Sequence, residues 1–322
     1  MAVTDVLVLR ALGVGDLLVS VPALRGLRAA FPRARITLAA PAGLRELVAL
    51  TGAVDELLPT TRLGGLSWRG APPSVAVNLH GSGPQSVEDL FGTRPGRLLT
   101  HTHHDYPGLD GPAWRATGVH EAERWCDLLG YYGIPADRTD LAIARPDLPS
   151  PAPAAVVLHP GAAYGSRRWP PERFGEVGRA LAAEGRRVVV TGNAGEYALA
   201  RSVADAAGLG EEAVLAGKTA LPELAALVAD AALVVCGDTG AGHLATAYGT
   251  PSVLVFGPVP PSQWGPPPGS ADRHVALWSG SGADPFADEP DPGLLRITPA
   301  DVLAAASPLW TVRERAVART GR

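Results

Sequence analysis

Residues 6–30 read VLVLRALGVGDLLVSVPALRGLRAA, and the order of properties along them decides the fold. A short run rich in Val and Leu, residues 6–9, meets a glycine turn at Gly13-Val14-Gly15. An apolar-periodic segment then runs from Leu17 to Ala30 and is stopped by Pro32. That order is strand, turn, helix. It recurs downstream: residues 36–39 read as a strand, 44–50 as a short helix, 75–79 as a strand with a glycine-rich exit at Gly81-Ser82-Gly83, and 121–129 as a helix. Short apolar strands alternating with helices specify a parallel sheet covered on both faces.

The alternation is interrupted once. Residues 145–153 carry four prolines, which cannot enter a central strand and hold the chain extended. The pattern then restarts, with strands expected at 155–158, 188–191, 233–236 and 253–256 and helices at 171–183, 196–207, 222–229 and 242–248. Six prolines between residues 258 and 269 mark a loop, and residues 299–305 and the segment after Pro308 look helical. The expected organisation is therefore two Rossmann-like doubly wound domains, 1–148 and 149–296, facing a cleft. A helical tail, 297–322, is expected to pack back on the first domain.

A chain of 322 residues suits two cores of about 150 residues each. With 46% hydrophobic and 19% charged residues it has the composition of a globular protein. The net charge of −4 offers no basic footprint and excludes a nucleic-acid partner. Cys126 and Cys236 lack metal-ligand spacing and read as buried thiols of a reducing compartment, so a cytoplasmic location is expected. Arg10 and Asp16 interrupt the N-terminal apolar stretch, and no apolar run approaches the ~18 residues of a membrane span or forms a signal peptide.

Three polar turns stand at strand ends, where doubly wound sheets place their ligands. Gly13-Val14-Gly15-Asp16 lacks the third glycine of a dinucleotide fingerprint, because position 18 is Leu18, and the dehydrogenase reading loses its main support. Asp16 suits either a helix cap or a general base. Cys236-Gly237-Asp238-Thr239-Gly240-Ala241-Gly242-His243 leaves a strand and opens a helix, an arrangement that cradles a diphosphate with backbone N–H groups and side-chain donors. His159-Pro160-Gly161 through Arg167-Arg168-Trp169-Pro170 is a second glycine loop, whose arginines can fork onto phosphate oxygens. Glu196, after Thr191-Gly192-Asn193-Ala194-Gly195, suits a ribose diol or a helix start.

These segments together resemble glycosyltransferase family 9, the heptosyltransferase-like group with the GT-B fold, over residues 7 to about 268. The most specific pieces are Gly15-Asp16 with Pro22-Ala23-Leu24, the loop from His159 to Pro170, and the turn from Asp238 to His243 ahead of Phe256-Gly257-Pro258. The resemblance implies that Asp16 is the catalytic base and that the second domain binds the donor through Gly161, Arg167, Asp238, Thr239, Gly240 and His243, with Gly15 contributing from the first. It further implies that Glu196 meets the ribose, and Lys218-Thr219 the nucleobase. The family commonly has lysine where Arg167 stands. The expected reaction is an inverting, metal-independent transfer of heptose or a related sugar, with no cofactor, from a nucleotide-diphosphate donor (ADP-linked) to a glycan, glycoside or lipid-linked acceptor on the first domain. Up to Ala144 the chain has 13 basic against 14 acidic residues, so that half is not visibly basic.

The alternatives are another GT-B enzyme with a different nucleotide sugar and a nucleotide-sugar-binding protein without turnover. A pure binder has no use for a base. Two motifs fail: Gly217-Lys218-Thr219 lacks the P-loop glycine, its place being taken by Glu212, and His101-Thr102-His103-His104-Asp105 has no recognised metal spacing and reads as a loop lining the acceptor pocket.

Overall fold

A computed structural model of the chain describes residues 3–280 and 282–320, with side chains as far as residue 310. The chain divides into two compact units, residues 1–144 and 145–322. In the first unit the elements are β1 (Asp5–Leu9), α1 (Val14–Val19), α2 (Val21–Ala30), β2 (Arg35–Ala40), α3 (Arg45–Leu50), β3 (Glu56–Pro59), β4 (Val75–Asn78), α4 (Gln85–Gly92), β5 (Leu98–Leu99) and α5 (Glu121–Tyr131). Its strands form one parallel sheet in the order β3-β2-β1-β4-β5. Val6 to Leu9 are wholly buried, as a central strand covered on both faces requires.

The expected single helix from Leu17 to Ala30 is two helices. Pro22 has no N–H to offer the Leu18 carbonyl, and the Ser20 hydroxyl donates to the Leu17 carbonyl at 2.7 Å, so the chain breaks at Ser20 and α2 restarts with proline in its first turn.

The second unit contains β6 (Val156–His159), α6 (Pro171–Ala183), β7 (Val188–Val190), α7 (Tyr197–Ala207), α8 (Leu221–Asp230), β8 (Leu233–Gly237), α9 (Gly240–Tyr248), β9 (Ser252–Phe256), α10 (Pro261–Trp264), β10 (His274–Trp278) and α11 (Pro299–Thr320). The sheet order is β10-β9-β8-β6-β7, again parallel, and an isolated bridge from Val190 to Val214 continues it beyond β7. The proline-rich stretch after Pro258, expected as loop throughout, includes the short helix α10, which proline opens without loss because first-turn N–H groups are unpaired anyway. Trp169 packs edge-on against Phe174 at 5.0 Å and donates its indole N–H to the Ile297 carbonyl at 3.0 Å, pinning the loop that precedes α6. Val302, Ala306 and Leu309 of α11 join the core of this second sheet. The expected return onto the first unit concerns the tail 297–322, whose side chains from 311 onward lie outside those described.

In both sheets the strand order reverses once, between β1 and β4 and between β6 and β8. In such sheets the crevice at the reversal, beyond the carboxyl ends of the strands, is where ligands bind. Pairing of Leu9 with Asn78 sends Arg10 out beside Leu79 and Ala11 beside His80, and pairing of His159 with Cys236 does the same for Gly161 and Asp238.

Candidate functional site

At the reversal point of the first sheet, Asp16 lies in the opening turn of α1. Its Oδ2 accepts the Gly13 N–H at 3.2 Å, so the carboxylate reaches back from the first turn to the N-cap residue, the reciprocal half of a capping box. It also does more than cap: Oδ1 accepts from Arg10 Nη2 at 3.1 Å, and its backbone carbonyl accepts from Arg10 Nε at 2.8 Å. The Asp16 side chain keeps 28% exposure, whereas Arg10 keeps 1%. Arg10 further donates to the Leu79 carbonyl and to Glu121 Oε1 and lies 4.8 Å from the centre of the Trp125 ring. Glu121 Oε2 accepts from Arg124 Nε at 2.9 Å. Burial works against the Arg10 charge, and Asp16 and Glu121 sustain it. His80, next to Leu79, accepts the Ala11 N–H at Nδ1 and is held below its ordinary pKa by burial and then by Arg10.

Arg10, Glu121 and His80 were not among the expected site residues. The one signal for Arg10 is a charge ending an apolar strand. Glu121 is brought in from 111 residues away by topology alone.

At the reversal point of the second sheet, the Asp238–His243 turn and the loop around Arg167 come together. The Asp238 carboxylate lies 3.6 Å from Arg167 Nη1 and 3.9 Å from His243 Nε2. Asp238 therefore orients the two donors expected at a diphosphate; a carboxylate is itself unsuited to phosphate. Thr239 caps α9, Gly240 opens it, and the ring of Trp264 meets His243 edge-on at 6.0 Å. Among the described residues the buried Arg167 Nε has no hydrogen-bond partner, and the buried Thr239 Oγ1 lies by the Cys236 thiol. Unsatisfied buried donors at a helix N-terminus mark a place for an anion.

Beside them, Glu196 and Gly161 are in direct apposition. Glu196 Oε2 accepts the Asn193 N–H at 2.8 Å, and a Cβ on Gly161 would stand 2.1 Å from Glu196 Oε1. His159 Nδ1 lies 3.0 Å from Thr191 Oγ1, and burial lowers its pKa against the opposing Glu196 charge. The Lys218–Thr219 turn joins this edge through the Gly217 N–H, which donates to the Gly192 carbonyl. The Lys218 ammonium itself pairs with Glu211 at 3.0 Å. Gly15 remains in the first unit, within α1.

The His101–Asp105 stretch splits. His103, His104 and Asp105 offer ligand atoms within 4.8 Å of one another, the one such group among the described residues. His101 is buried between Trp114 and Trp125, with its pKa lowered to about 4 by burial and then by Arg124 and Arg115. Among the described residues no helix is long and apolar enough to cross a membrane.

The sequence pattern of glycosyltransferase family 9 (heptosyltransferase) matches residues 123–292. Over 313 aligned residues, 85% of this chain and 88% of the relative, the chain is 27% identical to lipopolysaccharide heptosyltransferase 2 of Escherichia coli (strain K12). The fold superposes on the glycosyl transferase family 9 protein from Veillonella parvula DSM 2008 with a TM-score of 0.78 at 20% identity, covering 96% of this chain and 97% of that one. It superposes on E. coli ADP-heptose lps heptosyltransferase II with a TM-score of 0.75 at 22% identity, covering 97% and 100%. Two parallel five-stranded sheets with these likenesses make up the GT-B fold.

Proposed function

We propose, for a chain that belongs to glycosyltransferase family 9, that this heptosyltransferase-like enzyme transfers a heptose or related sugar from an ADP-linked donor to an acceptor hydroxyl, with inversion and without a metal. The observation that carries the reading is the buried, unpartnered Arg167 Nε beside the Asp238–His243 turn at the start of α9. Arg167, Thr239, Gly240 and His243 would bind the diphosphate, with Asp238 holding Arg167 and His243 in place. Glu196, seated on Gly161, would accept from the ribose hydroxyls, and the Lys218–Thr219 turn would lie by the base. ADP is favoured as carrier by the name of the E. coli relative, and lipopolysaccharide-type acceptors by the same names.

The acceptor hydroxyl gives its proton to Asp16 as its oxygen attacks the anomeric carbon, and the bond to the diphosphate oxygen breaks on the opposite face. Charge developing on the leaving diphosphate is met by the α9 N-terminus and Arg167, which do the work that a cation does elsewhere. The two buried free thiols fit a reducing, cytoplasmic setting.

The test is a calorimetric panel of ADP, UDP and GDP, followed by ADP-heptose turnover in EDTA. ADP binds most tightly, Arg167→Ala weakens it by about 10–100-fold through loss of a charge-assisted contact, and turnover persists in the chelator. Equal affinity for all three nucleotides, unchanged affinity in the variant, or turnover that EDTA abolishes and a divalent metal restores would each count against the corresponding part of the reading.

A further inference from the structure

We propose that Arg10 is a positioning residue for the transfer: its guanidinium fixes the Asp16 carboxylate in place, and Glu121 shares the Arg10 charge so that Asp16 remains a competent base. This inference rests on the reading of Asp16 as the general base.

The geometry exceeds what a structural ion pair needs. Arg10 holds both the backbone carbonyl and the carboxylate of Asp16, at 2.8 and 3.1 Å. With the Gly13 N–H on the other oxygen, the carboxylate is restrained in position and in rotation. The same guanidinium bonds to Leu79 at the exit of β4 and to Glu121 of α5, and stacks on Trp125. One planar fork therefore registers β4 and α5 against the residue that takes the proton, a task that a point charge cannot perform. Productive geometry at a reacting group has to be held within about 0.5 Å, and supports of this kind hold it.

The charges matter as much as the geometry. A cation bonded directly to a base weakens that base, since it stabilises the carboxylate over the acid. Here the cation is divided. Arg10 Nη2 reaches Glu121 Oε1 at 3.4 Å, and Glu121 in turn bonds Arg124 at 2.9 Å, so that Asp16, Arg10, Glu121 and Arg124 alternate in sign and sum to zero. His80 also faces this row from the exit of β4, where burial and then Arg10 hold its pKa below the ordinary value. The charged and titratable groups that face Asp16 are thus Arg10, Glu121, Arg124 and His80.

The signs of the two charges give a test that a merely structural role would not satisfy. Neutralising Glu121 leaves Arg10 undivided on Asp16, favours the carboxylate and moves the acid limb of the kcat profile to lower pH. Removing the Arg10 charge moves the limb to higher pH. Initial rates at saturating donor and acceptor are measured from pH 5 to 9 for Glu121→Gln, Arg10→Met and Arg10→Lys, with the fold followed by circular dichroism. Glu121→Gln, which keeps the shape and one of the two acceptor oxygens, is expected to fold and to lose about 3–10-fold in kcat, with the donor KM within about twofold. Arg10→Met is expected to lose about 100-fold and Arg10→Lys to regain only part of that, with its limb back in place because its charge is restored. The Glu121→Gln result decides the matter if Arg10→Met does not fold.

Limbs that stay in place or move in the same direction, or a change confined to donor KM, overturn the proposal. So does loss of the acid limb in His80→Gln, which would assign that limb to the imidazole. Asp16→Asn separates this failure from failure of the base reading: parental turnover in that variant removes the base itself, whereas its inactivation alongside unmoved limbs removes only the role of Arg10 and Glu121.

Discussion

At the scale of single residues, the site turns on contacts with no room to spare. Gly161 faces the Glu196 carboxylate so closely that a methyl group would overlap it, at 2.1 Å from Oε1 and 2.4 Å from Cδ. The colliding atoms are the far end of a flexible side chain, so Gly161→Ala should leave the fold intact and push Glu196 aside. Loss of one good hydrogen bond to a charged group predicts about 10-fold weaker ADP binding. Calorimetry checks it, with thermal unfolding as the control; unchanged affinity would remove Glu196 from the nucleotide site. Asp16, Arg167 and His243 were legible in the sequence because each is a polar residue in a glycine turn that follows an apolar run. The apposition of Gly161 and Glu196 was not legible, since each looks ordinary alone. Arg10 was visible only as an interruption, because its partners Leu79 and Glu121 lie 69 and 111 residues away and are chosen by strand order.

At the scale of elements, helices and strands that are central to their sheets announced themselves through continuous apolar runs. The strands missed, β3, β5 and β10, are all at sheet edges, and one helix of the first unit, α4, was missed as well. β5 has only two residues, and the edge strands β3 and β10 mix exposed and buried positions, so neither length nor periodicity marks them. The α1–α2 break was missed for a different reason: the apolar periodicity runs through Ser20, and only the missing N–H of Pro22 interrupts it. In the second unit α6 lies against α7 with Gly175 at the crossing, where a Cβ would come within 2.3 Å of the Ala206 Cβ and 3.1 Å of its backbone carbonyl carbon. Backbone cannot step aside as a side chain can. Gly175→Val should therefore lower stability by about 1–3 kcal/mol, in spite of valine's extra apolar surface. Urea unfolding measures this, and a variant as stable as the parent would contradict the close seat of the two helices.

At the scale of the whole molecule, two sheets of related topology each place a polar turn at their reversal point, one bearing a carboxylate and the other unsatisfied donors for an anion. The alternation of apolar runs was enough to read two doubly wound sheets. It could not show which loops leave neighbouring strands, because that depends on register. The family pattern matches residues 123–292 and so takes in the proposed donor-binding residues Gly161 to His243, but Asp16 lies outside it. The role of Asp16 accordingly stands on its chemistry: a partly exposed carboxylate, fixed by Arg10 and by the Gly13 N–H, at a strand end where ligands bind. Asp16→Asn tests that chemistry, since asparagine keeps the size and one of the two acceptor oxygens but accepts no proton. The deciding measurement is kcat for this variant with saturating ADP-heptose and acceptor, alongside its ADP affinity by calorimetry. The account predicts a loss of about 10²–10⁴-fold in turnover with ADP affinity unchanged, and turnover near that of the parent would contradict it.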